Sequence, residues 1–343
     1  MTEVIDQWPI QTEIEQRFPV KVVEVAGDKG PCGGVNMAID TTFDVLRMVD
    51  GREPVYANNH PVHNELISQD FTRQGLVIQP NITLVPDGSI LIASAHGWPL
   101  EDKELAHRKD LLIIDTTCQL VSKVNRGAER AVREGKHVIY VGAKNHPEPR
   151  GVLGGLPEGT YTFIDIDEDL PDLEGLDDSE LAVLNQTTLS TVGVMEKIEK
   201  LRRKYPELDI PNPVGICYAT DNRQNAVRQR LQDNDQPHIN ALVVVGSKKS
   251  HNSNELRDVG LNEFGIPSYL IDQPGEIDDS WFDQNTRRVL VTSGASVLPI
   301  YLRAVIKYFT DQGAYIRNLP RTEKDLTFVA PDLEALKRRY QTE

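Results

Sequence analysis

Cys32, Cys118 and Cys217 are the only cysteines in a 343-residue chain, and they stand near its thirds. Each follows a run of strand character and precedes a run with helical apolar spacing. Three similar units would therefore each bring one thiolate to a common centre. Three thiolates around a metal centre leave a coordination position open for chemistry. Two centres suit that donor set: a [4Fe–4S] cluster with one iron lacking a protein thiolate, or Zn²⁺ with three sulfurs and a water. Zinc sites usually take two ligands from a short Cys-x₂₋₄-Cys element, which this chain lacks. Ligands roughly a hundred residues apart suit the bulkier cluster at a junction of three units. A cysteine taken singly is most often a buried core residue; the equivalent placement of all three is what singles these out.

The elements that must position them repeat. The first third opens with the apolar run from Val20 to Ala26, a Gly-rich turn at Gly30-Pro31-Cys32-Gly33-Gly34, and a helical pattern through Val35, Ile39, Phe43 and Leu46. The second opens with Leu111–Asp115, then Thr116-Thr117-Cys118, then Val121, Val124, Ala128 and Val132 on one face. The third opens with Val214-Gly215-Ile216, then Cys217, then Ala226, Val227 and Leu231. Each third continues with short apolar strands: Val55–Ala57, Val138–Val141 and Leu242–Val245, and later Ile90–Ala93, Leu181–Leu184 and Val289–Thr292. Strands alternating with helices predict an α/β fold with mainly parallel sheets covered on both faces. The expected architecture is three pseudo-repeated α/β units facing a central cavity. Their boundaries are 20–117, 118–213 and 214–317, with an extension at 1–19 and a tail at 318–343. The extension reads as an added helix or cap. Pro299–Gln312 reads as the closing helix of the third unit, and Leu326–Val329 as a short strand in the tail.

Ligands of parallel α/β sheets bind beyond the carboxyl ends of the strands. Polar clusters lie at those ends here: His63, His96 and His146, Asn185–Thr188, Ser250-His251-Asn252 and Ser293–Ser296. Helix N-termini after each cysteine favour anions, and neutral hydroxyl and amide donors can wrap a phosphate without arginine. Each Ser or Thr alone reads more simply as a helix cap. Glu148 is the one carboxylate in the loops that follow the second strands, taken as Asn58–His63, Asn145–Glu148 and Ser250–Asn252. Set among anion-binding groups, its pKa should rise, which suits a proton donor.

Bulk properties set limits. The net charge is −15, from 37 basic and 52 acidic residues, and no basic stripe or Lys/Arg-rich tail is evident along the chain. Nucleic-acid binding is therefore disfavoured. No apolar run approaches the ~18–20 residues of a membrane span, and the acidic N-terminus lacks a signal pattern. The expected location is cytoplasmic, and an odd cysteine count argues against a disulfide framework there.

The motifs Cys32-Gly33-Gly34-Val35, Val62-His63-Asn64, Ser94-Ala95-His96-Gly97, Asp115-Thr116-Thr117-Cys118, His146-Pro147-Glu148, Gln186-Thr187-Thr188-Leu189-Ser190, Cys217-Tyr218-Ala219-Thr220, Val245-Gly246-Ser247-Lys248 and Gly294-Ala295-Ser296 follow in order from about Val20 to about Val329. In this the chain resembles the 4-hydroxy-3-methylbut-2-enyl diphosphate reductase family of the methylerythritol phosphate isoprenoid route. The resemblance implies a trefoil of three units around one [4Fe–4S] cluster held by Cys32, Cys118 and Cys217. It implies reductive removal of the substrate's allylic hydroxyl as water, giving isopentenyl and dimethylallyl diphosphates. Glu148 would supply the proton, with His146 and Thr187 completing the relay. His63, His96, Ser250, Asn252 and Ser296 would hold the diphosphate, with His251 beside them. Electrons would come from reduced ferredoxin or flavodoxin. The chain departs from the family at Lys29-Gly30-Pro31 before the first cysteine, at Gln119 after the second, and at His251, where the family usually has serine. The repeat aligns His60 with His146, whereas the family motif selects His63.

Two other readings compete. A redox-neutral cluster dehydratase or condensing enzyme of quinolinate-synthase type also combines three α/β units with three cysteines, but acts on carboxylates and calls for more arginine than the strand-end loops hold. A non-catalytic cluster protein binding a diphosphate would keep the ligands without needing Glu148.

Overall fold

The computed structural model describes residues 18–173, 175–210, 215–322, 326 and 328–340. Its strands are β1 (Val22–Val25), β2 (Val55–Ala57), β3 (Leu76–Ile78), β4 (Ile90–Ala93), β5 (Leu112–Asp115), β6 (His137–Gly142), β7 (Tyr161–Asp165), β8 (Leu181–Asn185), β9 (Ala241–Val245), β10 (Ser268–Ile271), β11 (Arg288–Ser293) and β12 (Tyr315–Asn318). They form three sheets, ordered β3-β2-β4-β5, β7-β6-β8 and β10-β9-β11-β1-β12. Every pairing within them is parallel. The central strands are continuous apolar runs. β4 reads Ile-Leu-Ile-Ala and β9 Ala-Leu-Val-Val-Val, and every residue of both is buried. β-branched side chains suit a pleated surface covered by helices on both faces. The helices meet the sheets through single stripes; on the helix Gln119–Arg133 the buried residues are Val121, Val124, Ala128 and Ala131.

The run that opens a third does not stay with the helix it precedes. β1 pairs with β11 and β12, so Val23 lies opposite both Val289 and Ile316. β5 pairs with β4, Ile114 opposite Ile92. In the second sheet a single bridge joins Ala182 to Asp209 at the corresponding edge. β1 and β5 therefore each close the sheet of the preceding lobe; the third opening run forms no strand at its described residues Gly215 and Ile216, and only the bridge at Asp209 marks that edge. The chain crosses to each next lobe through the cysteine. The sequence reading placed Val22–Val25 in the first unit; its hydrogen bonds are to the third. Hydrophobic periodicity marks a strand but carries no information on its partner.

The closing helix forms at Pro299–Asp311. After it comes β12, a half-exposed Tyr-Ile-Arg-Asn edge strand that the sequence reading passed over. Leu326, Phe328 and Val329 are not in a strand. A helix at Glu334–Tyr340 instead seats Leu336, fully buried, in the first lobe's core beside Ile39 and Val45. The expected N-terminal helix or cap falls on residues 1–17, outside the described residues. No helix among the described residues is long and apolar enough to cross a membrane.

Glu24 in β1 carries a structural charge. It is fully buried and receives Arg230 at 2.6 Å, Arg288 at 2.6 Å and Arg317 at 3.5 Å. Burial pushes its carboxyl up, but the bonds from Arg230 and Arg288 outweigh this and hold it below the usual carboxylate range. Removing one partner of a buried ion cluster leaves uncompensated charge. Glu24→Ala should therefore destabilise the protein by about 3–5 kcal/mol, read as a fall in the denaturant midpoint; an unchanged midpoint would contradict it.

Candidate active site

The three cysteines occupy equivalent positions. Each is the N-cap of a helix: Cys32 of Gly33–Val49, Cys118 of Gln119–Arg133, Cys217 of Tyr218–Gln232. Each donates its backbone N–H to the loop beyond a strand of the preceding lobe. Cys32 bonds to the Ala295 carbonyl at 3.1 Å, Cys118 to Ala95 at 3.0 Å and Cys217 to Thr187 at 2.7 Å. The same bond, made three times, aims three thiols into one hollow of about 90 Å³. Burial pushes the Cys118 thiol up to about 11 and the Cys217 thiol up to about 12, with neighbouring thiols adding to both. Thiols held this way keep their protons near neutral pH unless a cationic centre displaces them. Among the described residues no three His, Cys, Asp or Glu side chains close on the span of a single metal ion. The chain packs tightly beside the sulfurs: a Cβ on Gly34 would sit 2.9 Å from Cys118 Sγ. Glycine there keeps a side chain from colliding with that sulfur.

Arg223 braces this centre and was not singled out in the sequence. It is fully buried. Its Nε and Nη2 donate to the Gly30 carbonyl at 3.0 and 2.6 Å, and Nη1 to the Ala219 carbonyl at 2.8 Å. One guanidinium thus ties the turn before Cys32 to the helix after Cys217. Gly30 supplies the left-handed bend of that turn, with φ of +77°.

Glu148 lies in the first turn of the short helix Pro147–Leu153 and is 1% exposed. Its Oε1 accepts from the Thr187 N–H at 2.7 Å and its Oε2 from the Thr187 hydroxyl at 2.9 Å. The Tyr140 hydroxyl, buried beneath it, lies 3.4 Å from Oε1. Burial raises the Glu148 pKa to about 7 against the lowering effect of these donors. His146 caps the same helix: its Nδ1 accepts from the Glu148 N–H at 3.2 Å. That bond places the remaining ring proton on Nε2.

Four imidazoles gather above the thiols. His63 lies against His96, centroids 3.9 Å apart and rings tilted by 39°, and 5.1 Å from His146; His251 is 6.5 Å from His146. Burial is the main cause of a lowered pKa at each: about 4 for His63, about 3 for His146, well below the usual range for His96, and lowered for His251. The His63 Nε2 and His96 Nδ1 atoms are buried without a hydrogen-bond partner. Unpaired buried polar atoms are uncommon, and these line the shared hollow. His60 is exposed, so it is His63 that joins the cluster.

The remaining candidates are partly committed to the frame. Ser250 caps the helix His251–Asp258, accepting from the Ser253 N–H. Asn252 donates to Thr220 Oγ1 at 3.1 Å and accepts from the Ala295 N–H at 2.9 Å, bridging two thiol-bearing crossovers. Ser296 donates to the His63 carbonyl at 2.9 Å, and its own carbonyl accepts from Asn64 Nδ2 at 2.9 Å. His251 Nε2 lies 3.3 Å from Glu255 Oε1 but, like His63 Nε2 and His96 Nδ1, is buried without a hydrogen-bond partner. All of Cys32, Cys118, Cys217, His63, His96, His146, Glu148, Thr187, Ser250, His251, Asn252 and Ser296 line the one hollow. Tyr140, Asn64, Thr220 and Arg223 were not among the sequence candidates. Tyr140 is hidden in an apolar strand run and Arg223 in a polar helix, whereas Asn64 and Thr220 were quoted only as parts of motifs.

The family model described as LytB protein matches residues 23–310. The chain is 39% identical over 280 residues to a 4-hydroxy-3-methylbut-2-enyl diphosphate reductase of Francisella tularensis, covering 81% of this chain and 85% of that one. It is 35% identical over 321 residues to the reductase of the same name from Nitrosomonas europaea, covering 91% and 97%. Its fold is similar to the solved E-1-hydroxy-2-methyl-but-2-enyl-4-diphosphate reductase of Plasmodium falciparum, with a TM-score of 0.84, 28% identity, and 94% and 99% of the two chains covered. A second solved reductase of this class matches with a TM-score of 0.60 at 25% identity, covering 85% and 99%. The chain therefore belongs to the LytB protein family.

Proposed function

We propose that the chain converts (E)-4-hydroxy-3-methylbut-2-enyl diphosphate to isopentenyl and dimethylallyl diphosphates. Two electrons and two protons are consumed, the allylic C–O bond breaks, and the oxygen leaves as water. The observation that carries this reading is Glu148: a buried carboxyl poised near neutrality, fixed by Thr187, in the same hollow as three thiols. An enzyme acting on carboxylates would call for arginine, which the described lining of the hollow lacks, and a binding protein has no need of a poised acid.

Cys32, Cys118 and Cys217 would hold one [4Fe–4S] cluster. When bound, that cluster supplies single electrons and a Lewis-acidic iron without a protein thiolate. The chain's own residues do the rest. His63 and His96 present ring nitrogens without partners, and the helix His251–Asp258 presents its N-terminus. A diphosphate seated there meets neutral donors in a dry site, where each hydrogen bond is stronger than in water. Its charge would also raise the pKa of the surrounding imidazoles, favouring protonated, stronger donors. Glu148 holds the proton for the departing oxygen, Thr187 fixes its carboxyl, and the His146 Nε2–H orients the hydroxyl. The hollow, at about 90 Å³, is smaller than the ~300–1,000 Å³ of ordinary ligand pockets.

Anaerobic reconstitution with iron and sulfide tests the assignment. The expected result is about four irons per chain, visible absorbance, and oxidation of reduced viologen only when the hydroxylated diphosphate is added. Zinc uptake with no visible absorbance would reject it.

A further inference from the structure

A second cleft, of about 740 Å³, runs beside the helix Gln119–Arg133, and the mechanism above leaves it unused. Leu120, Ile216 and Tyr218 line its inner end. Leu120 and Tyr218 also pack against the Cys32–Cys217 patch. Cys118 caps the same helix and is the one half-buried thiol of the three. The floor of the cleft is thus one layer of side chains from the hollow that would hold the redox centre.

Its rim is basic. Lys123, Arg126, Arg130 and Arg133 are all exposed and recur at i, i+3, i+7 and i+10, which places them along one side of the helix. Along the chain these cations are interleaved with other residues, and the sequence reading found no basic stripe; the helix assembles one. Glu129, Glu134 and Asp209 share the lining. Glu134 lies 3.9 Å from Arg130, and Asp209 is paired with Lys136. Among the described residues Lys123, Arg126 and Arg133 have no carboxylate within ion-pair distance. A local excess of free cations on a chain of net charge −15 marks a surface matched to a partner of opposite sign.

The reduction requires a source of single electrons. We propose that a small acidic one-electron carrier protein docks in this cleft, with its redox group over Leu120 and Tyr218. The proposal rests on the reductase reading. Each substrate takes two electrons, so two reduced carriers each lose one, while two protons accompany loss of the oxygen as water. Rim charges of this kind steer association and act on the encounter rate, and salt screens them.

The test uses the full-length, cluster-reconstituted protein and two electron donors: a reduced acidic ferredoxin and reduced methyl viologen. Replacing Lys123→Glu, Arg126→Glu and Arg133→Glu together should lower kcat/KM for ferredoxin about tenfold or more at low ionic strength, with viologen-driven turnover unchanged. The wild-type ferredoxin rate should fall with added salt, and the variant's should respond little. The neutral set Lys123→Gln, Arg126→Gln and Arg133→Gln should give a smaller loss in the same direction. Unchanged ferredoxin kinetics, or equal loss with both donors in both variants, would overturn the docking site. A wild-type dimer that dissociates on charge reversal, with ferredoxin kinetics intact, would assign the cleft to a second copy and likewise overturn it. Absence of viologen-driven turnover in the wild type would instead remove the reductase reading, and the docking site with it.

Discussion

Glu148→Gln should lower turnover by about 10²–10⁴-fold while substrate binding stays close to wild type. The substitution suits the site. The Thr187 N–H still meets a carbonyl oxygen, and the Thr187 hydroxyl can turn to accept from the new amide. What is lost is the proton. The pH profile should carry the same signature. With its pKa raised to about 7 by burial, Glu148 is charged on the alkaline side, so the wild-type rate should decline as pH rises through that value. The stability consequence has a definite sign. A carboxyl whose folded pKa lies above its ordinary 4.5 favours the fold most below 4.5 and loses that contribution as pH rises through about 7. The gap corresponds to about 3 kcal/mol. Glu148→Gln, with nothing to ionise, should therefore unfold at a higher denaturant concentration than wild type at pH 9, and at nearly the same concentration at pH 4. Near-normal turnover in the variant would show that Glu148 is not the acid, and lower stability at pH 9 would show that its charge does not strain the fold.

Cys118→Ser should abolish turnover and strip the chain of most of its iron. A serine hydroxyl does not ionise near neutral pH and is a poor soft-metal ligand, so the donor set falls from three thiolates to two. The fold should survive. The bond from residue 118 to the Ala95 carbonyl is made by the backbone, and serine is a good helix N-cap. The measurements are iron per chain, visible absorbance after reconstitution, and thermal unfolding of the apoprotein. Loss of iron with an unchanged apoprotein midpoint supports a ligand role; retention of iron and activity would sink it. Arg223 offers a contrast within the same centre, since it braces two crossovers through the Gly30 and Ala219 carbonyls. Its replacement should disturb fold and cluster together.

The residues proposed to do chemistry were legible in the sequence because their signals are local. A cysteine ahead of a helical run is a helix N-cap whatever lies elsewhere, and all three proved to be N-caps. Strand-end loops in parallel α/β folds hold polar residues for reasons of chain geometry, so His63, His96, His146, Glu148, Thr187 and Ser296 stand out as the polar groups just past an apolar run. Alternation of short buried strands with helices was enough to set the class of fold. Two features outran local pattern. The helix Gln119–Arg133 showed its buried stripe in the sequence, yet its basic side went unseen because the reading traced apolar residues. β1 was recognised as a strand, but its partners β11 and β12 are more than 260 residues away, and pairing across such distances leaves no periodic trace.

The tertiary structure alone decided how the charges settle. In sequence Glu24 is a lone acid in an apolar strand and Arg223 an arginine in a polar helix; in the fold one gathers three guanidinium groups and the other joins two crossovers. The protonation of Glu148 and of the four imidazoles likewise depends on burial created by all three lobes together. Local sequence dictates which atoms a residue brings and which way its own helix or strand turns. How deeply it is taken from water, and beside which distant charge, depends on chain closure over the whole fold.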